Sequence, residues 1–319
     1  MKRAILLLFC LIYPAGAAEY QPTWAFFVPG EDQPAATEDS GPKQVPGSKR
    51  TYTMAQIDDL KNPPDWFPDE HRPMPNVVAH GATGMVLACA SCHLASGMGH
   101  PASASLAGLK PAFIQRQLAD FKSGARHNAI VVNGKPQMNS TQFMVGIAQG
   151  LSDADAKAAS QWFSQLRPQR NWVKVVEAAH VPKTYISRGY MRLPVPSGGT
   201  EPIGNRIIEL PQDINRQILR DPHSGTIAYV PPGAIARGRA LAGTGRACET
   251  CHGTDLTGVA DVPPIAGRSP TYIFRQLYSF KTGARAGAAS MPMQGMTATL
   301  SEADMVSLAA YVASMSNQY

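Results

Sequence analysis

The sequence predicts a mainly α protein built from two tandem, related units, with a proline-rich extension ahead of the first and a partly β insert between them. Three observations carry that prediction: a length of 319 residues, two five-residue cysteine–histidine motifs, and an internal repeat that follows each motif.

The length is about twice that of a typical domain, so two domains plus extensions is the expectation. A hydrophobic content of 44% is ordinary for a globular chain, and 16% charged residues is too few for a disordered polyelectrolyte. The formal charge of +6 comes from basic residues scattered singly, without a Lys or Arg run, which excludes nucleic acid as the expected partner.

Residues 1–18 read as a secretory signal peptide. Lys2 and Arg3 precede an apolar run from Ala4 to Tyr13, and Ala15, Gly16, Ala17 and Ala18 form a small-residue cleavage region. No later stretch approaches the roughly 20 apolar residues of a membrane-spanning helix, so the mature chain is expected to work outside the cytoplasm without a transmembrane segment.

Cys10 leaves with the signal, and the other four cysteines form two motifs. These are Cys89-Ala90-Ser91-Cys92-His93 and Cys248-Glu249-Thr250-Cys251-His252, the pattern of covalent c-type haem attachment. Thiols three positions apart on a helical turn can each add to a vinyl group of one porphyrin, and the adjacent histidine reaches the iron. Two disulfides or a four-cysteine zinc site would also use four cysteines, but neither explains a histidine after both pairs. Two covalently bound haem c groups are therefore expected.

An offset of 159 residues superimposes the motifs and the sequence after them. Between 109–126 and 268–285, 10 of 18 positions are identical: Pro111, Ile114, Arg116, Gln117, Leu118, Phe121, Lys122, Gly124, Ala125 and Arg126 recur. Ile114, Leu118 and Phe121, like Ile273, Leu277 and Phe280, have helical spacing, with Gly124 or Gly283 as a stop. Farther on the offset becomes 149, where Ser152 and Ser301 are expected to cap the last helix of each unit, ending near Leu166 and Met315.

A low-spin haem iron needs a sixth ligand, and methionine suits a carrier because its soft thioether stabilises Fe(II). Met144 and Met293 each stand seven residues before a Leu-Ser pair and superimpose at the second offset, so they are the expected ligands of the irons held by His93 and His252. Met138 competes in the first unit, and Met291 and Met296 in the second. The other histidines, His71, His80, His100, His127, His180 and His223, have no counterpart in the other copy. The second ring nitrogen of His252 is expected to bond the carbonyl of Pro264. The equivalent position in the first unit is Ser105, so the two haems are expected to differ in potential.

The two CxxCH motifs, PAFIQRQLADFKSGAR with SPTYIFRQLYSFKTGAR, MVGIAQGLSDAD with MQGMTATLSEAD, and the closing LAAYV resemble the dihaem cytochromes c of the c4 type. The resemblance covers about half the chain. It implies two all-α class I cytochrome c domains, His/Met ligation of both irons, and electron transfer between periplasmic or membrane-bound redox partners. The expected organisation is a signal peptide over 1–18, a proline-rich acidic extension over 19–73, cytochrome c domain 1 over 74–170, an insert over 171–230 and cytochrome c domain 2 over 231–319.

Residues 19–73 carry 5 basic and 10 acidic side chains, whereas 74–170 carry 8 and 3. Trp24, Phe26 and Phe27 are candidate anchors by which the extension lies across basic surface; a solvated tether is the competing expectation. The insert has short apolar runs and turn signals, and is expected to wrap the haem domains or to serve partner docking. The chain is thus expected to be an electron carrier or the cytochrome subunit of a dehydrogenase or oxidase, and not itself an enzyme. Its donor would be a dehydrogenase and its acceptor an oxidase or another cytochrome. The alternative is a dihaem enzyme such as a peroxidase, which would need one open axial site.

Overall fold

The computed structural model describes residues 21–28, 41–243 and 248–316. The expected signal peptide and the acids at 31, 32, 38 and 39 lie outside the described residues.

In the first unit the helix Pro111–Ser123 starts on a proline at its first turn and ends at Gly124, whose φ of 81° is left-handed. Ser140–Gly150 is capped by Asn139, and Asp153–Ser164 by Ser152, whose oxygen accepts from the Asp155 amide. Their apolar faces meet over Val77, Val78, Val86, Ile114, Leu151, Trp162 and Phe163.

The second unit repeats the plan with Ala234–Gly243, Pro270–Lys281, Met291–Thr297 and Glu302–Ser314. Ser301 and Asp304 form a full capping box on the last helix. That helix crosses Ala234–Gly243 at Gly238, where a Cβ would stand 2.0 Å from the Ser307 carbonyl oxygen, so only glycine permits the approach. Both closing helices end one or two residues before the expected Leu166 and Met315.

The units meet about a local pseudo-two-fold axis. Arg126 and Arg285, equivalent at the repeat offset, pair as an antiparallel bridge. His127 N donates to Ala284 O at 2.8 Å, and Ala286 N to Ala125 O at 2.7 Å. Arg126 donates to Gln117 Oε1 and Gln276 Oε1, both at 2.9 Å, while Arg285 donates to Gln276 Oε1 at 2.9 Å and Gln117 Oε1 at 2.7 Å. Each guanidinium also lies 4.4 Å from a phenylalanine ring centre, Phe121 or Phe280. The two haem units are thus in direct contact despite the sixty residues between them.

Between the units, Val173–Glu177 runs parallel to Thr226–Val230, which pairs antiparallel with Ile208–Pro211. Two short ribbons, His180–Pro182 with Thr200–Pro202 and Thr184–Ile186 with Arg192–Pro194, complete the β content. The parallel pair brings the two ends of the segment together, so sixty intervening residues do not push the haem units apart. Glu177 then accepts from the amides of Gly233 and Ile235 at the start of the next helix, where a carboxylate is favoured.

The candidate anchors of the extension pack against the chain itself, Phe26 and Phe27 buried and Trp24 half-buried. Trp24 packs 4.6 Å from the Phe274 ring and Phe26 lies 5.8 Å from Tyr278. Phe27 sits between the guanidinium groups of Arg192 and Arg275. Residues 41–73 are also packed: Trp66 is buried with Val45 and Ile57, and its indole donates to the Leu219 carbonyl at 2.8 Å. Over these residues the tether expectation does not hold.

Glu209, on Ile208–Pro211, is buried and accepts from Ser269 Oγ at 2.8 and 3.0 Å at the start of Pro270–Lys281. Burial pushes its carboxyl from the ordinary 4.5 up to about 7, against the Ser269 and Thr271 hydrogen bonds and the Arg275 charge. The native state therefore holds this proton to higher pH than the unfolded chain does. Its share of stability is fully present below about pH 4.5 and is lost as pH rises towards about 7. Urea unfolding of the holoprotein at about pH 5 and pH 8 should show this loss, and Glu209→Gln should flatten it.

Candidate haem-attachment sites

Each CxxCH segment folds as a short helical turn, Ala90–His93 and Cys248–His252, so the two cysteines of a pair lie on one side. No disulfide joins the four cysteines. Among the described residues no group of three or more His, Cys, Asp or Glu is gathered as a metal site.

His93 and His252 are both buried. The Nδ1 of His93 donates to the Ala104 carbonyl at 2.7 Å, and that of His252 to the Pro263 carbonyl at 2.8 Å. A carbonyl can only accept, so the tautomer is fixed and Nε2 carries the lone pair a metal needs. Burial pulls both imidazoles below their ordinary pKa, against the carbonyls, which favour the charged form.

The acceptor for His252 is thus Pro263 and not the expected Pro264. The Pro264 carbonyl instead accepts Arg268 Nε at 2.7 Å, and the carbonyl of its counterpart Ser105 accepts Arg268 Nη1 at 2.7 Å. One guanidinium clasps both loops. Ala104 and Pro263 are themselves equivalent at the repeat offset, so the two histidines are held alike. The expected difference in potential has no origin in this hydrogen bond.

Met144 lies on Ser140–Gly150 and Met293 on Met291–Thr297. These helices pack on the repeat helices Pro111–Ser123 and Pro270–Lys281. Both methionines are half-buried, whereas Met138 is 55%, Met291 69% and Met296 38% exposed. The segment after each methionine helix is pinned the same way: Lys122 donates to Leu151 O at 3.0 Å, and its equivalent Lys281 donates to Leu300 O.

The surroundings of the two motifs differ. Ala90 and Ser91 are 4% and 1% exposed, while Glu249 and Thr250, their equivalents, are exposed together with Cys251. Desolvation pushes the half-buried Cys89 thiol up to about 12, so before attachment it is a thiol and not a thiolate.

Most of the remaining histidines have other partners: His71 bonds Asp65, His80 bonds Asn62, His127 bonds Gly124 O and His223 bonds Glu70. Buried His100 accepts from the Ala102 amide and donates to Ser103 Oγ. Sequence reasoning missed the Arg126–Gln117–Arg285–Gln276 cluster, although all four residues stand among the identical repeat positions.

These residues fit a covalently bound haem. Each unit offers two thiols on one helical turn and a buried imidazole with a fixed tautomer. Among the described residues the buried Nε of Arg285 has no hydrogen-bond partner, and burial beside Arg126 pulls that guanidinium down to about 9, so an anionic group such as a porphyrin carboxylate suits it.

The family model for cytochrome c matches twice, over residues 78–167 and 235–316. The chain belongs to the cytochrome c family. It is a dihaem cytochrome that carries two covalent haem c groups and serves electron transfer. Among its relatives, the thiosulfate dehydrogenase electron acceptor of Thiomonas intermedia (strain K12) is 26% identical over 228 residues, covering 70% of this cytochrome and 77% of the relative. Cytochrome c4 of Azotobacter vinelandii is 37% identical over 90 residues, covering 25% of this chain and 43% of that one. A solved structure of the thiosulfate dehydrogenase TsdBA from Marichromatium purpuratum gives a TM-score of 0.47 at 26% identity; the match covers 74% of the cytochrome and 38% of that chain. No helix among the described residues is long and apolar enough to cross a membrane.

Replacing Cys248 and Cys251 together with serine should halve the covalent haem per chain, as should replacing Cys89 and Cys92. Intact mass spectrometry and pyridine haemochrome absorbance check this.

Proposed function

We propose that this cytochrome is an exported electron acceptor for a dehydrogenase, with His93 and Met144 ligating one iron and His252 and Met293 the other. The observation that carries the ligation is burial: in each unit the methionine chosen by the repeat is half-buried, and every competitor named above is exposed. The acceptor role draws on the relatives from Thiomonas intermedia and Stutzerimonas stutzeri, each named as a thiosulfate dehydrogenase electron acceptor. Export rests on residues 1–18 as a signal peptide and places the protein in the periplasm. An oxidase or another cytochrome is the onward acceptor. Residues 74–170 and 231–319 are the two haem domains, with 19–73 and 171–230 as the extension and the insert.

Bound haem supplies a one-electron Fe(II)/Fe(III) couple. The chain's part is to hold the axial side chains still in both states. The Ala104 and Pro263 carbonyls fix the imidazoles, and Lys122 and Lys281 fix the backbone after the methionine helices. A peroxidase would need one of these axial positions to open, and no difference between the two methionine helices favours that.

Both haems of the purified protein should be low spin, show the far-red sulfur-to-iron band, and ignore carbon monoxide after reduction. Met144→Ala and Met293→Ala should each turn one haem high spin and open it to carbon monoxide, while Met138→Ala, Met291→Ala and Met296→Ala should not.

The first haem should have the higher potential. Its attachment helix is buried and faces Arg220, whereas the second is exposed and bears Glu249, and both differences disfavour the more positive Fe(III) state at the first site. A redox titration checks the order, with the single-haem cysteine variants assigning each wave. Equal midpoints would sink it.

A further inference from the structure

The repeat allows the surface of one haem unit to be compared with the other residue by residue. Ser91, Ala95, Ser96, His100 and Pro101 are the equivalents of Thr250, Thr254, Asp255, Val259 and Ala260. All five second-unit residues are exposed, whereas four of their first-unit counterparts are buried and Ser96 is half-buried.

The insert covers the Ser91 and Ser96 part of this surface, and Arg275 of the second unit covers Pro101. Arg220 donates to the Ser91 carbonyl inside the CxxCH turn, and Ser96 Oγ donates to Pro222 O at 3.5 Å. Tyr190 lies 5.7 Å from the ring of Phe143, the neighbour of Met144, on the methionine side of the site. Both contact residues also hold left-handed backbone, with φ of 61° at Tyr190 and 54° at Arg220. For side chains of this size that geometry is strained and persists only where surrounding contacts impose it.

Composition follows the same division. Residues 89–108 contain no charged side chain, as suits a covered surface. Residues 248–267 contain Glu249, Asp255 and Asp261 and no Lys or Arg. Asp261 faces Arg116 of the first unit at 3.4 Å, which leaves Glu249 and Asp255 as the exposed charges within 248–260.

We propose that the insert closes the first haem edge to other proteins, and that redox partners dock at the exposed Cys248–Ala260 edge of the second unit through a basic face of their own. The first haem then exchanges electrons with partners by way of the second. This inference rests on the electron-carrier reading and adds to it the place and polarity of docking.

The test uses the oxidised holoprotein and the paramagnetically shifted haem methyl resonances of each haem. Tris(ethylenediamine)chromium(III) is the cationic relaxation probe, and hexacyanochromate(III) the anionic one. The cation should broaden second-haem methyls about ten-fold more than first-haem methyls at low salt, as expected for attraction to exposed acids. The double variant Glu249→Lys, Asp255→Lys should reverse the preference for cation over anion at the second haem and leave the first unchanged. Tyr190→Ala should expose the first haem's methyls to either probe. Equal broadening of both haems, or preferential broadening of the first, overturns the inference, as does a second haem that prefers the anion. The carrier reading fails separately, if a one-electron donor in solution reduces neither haem.

Discussion

A close pair of arginines, Arg285 buried and Arg126 half-buried, is the constraint on which the two-unit arrangement depends. Burial, with the Arg126 charge beside it, lowers the affinity of Arg285 for a proton. Removing either partner of such a contact would strand buried donors, which costs more than the contact's net worth. The chain answers with two glutamine oxygens, each accepting from both guanidiniums, and with a phenylalanine face under each. Because every member faces its own equivalent, the interface requires the same residue type in both copies.

That requirement explains where the repeat is strongest. Of the residues shared between 109–126 and 268–285, Gln117 and Arg126 build the interface, Phe121 carries the guanidinium, Ile114 enters the core, Pro111 starts the helix and Lys122 holds the segment after the methionine helix. Arg116 and Arg275 show the same residue type put to different use. Each reaches across to the loop of the other unit, Arg116 to Asp261 O and Arg275 to Pro101 O. Only Arg275 is also roofed by the N-terminal stretch, through Ala25 O and the Phe27 ring. A symmetric core is thus made unequal by segments that lie outside the repeat.

Much of this was legible in the chain. The cysteine spacing, the caps at Ser152 and Ser301, and the helical faces of Ile114 and Phe121 are local features, and local spacing determines them. The histidine acceptor was misplaced by one residue because loop carbonyls alternate in direction, and the sequence has no sign of which one turns inward. The choice of Pro263 over Pro264 depends on Arg268, which draws the Pro264 carbonyl the other way. The aromatic anchors Trp24, Phe26 and Phe27 were recognisable as apolar, but their docking on Phe274 and Tyr278 lies some 250 residues away and leaves no periodic trace. The interface cluster was visible as identity and still passed over, because polar identities in a helix read as solvated surface until a second surface is placed against them.

Two equal sites would have no reason to pass an electron in one direction. Here the motif histidines are held alike, so inequality between the haems has to come from the shell around them. The extension roofs Arg275, and the insert lays Arg220 over the first CxxCH turn and Tyr190 beside Phe143, while leaving the second turn bare. A covered site tunes its iron through low dielectric and nearby positive charge; an exposed, acidic one meets partners. The duplicated unit provides two similar redox centres, and the non-repeated segments give them different tasks. The extra length beyond two haem units is therefore where the specificity of this cytochrome resides.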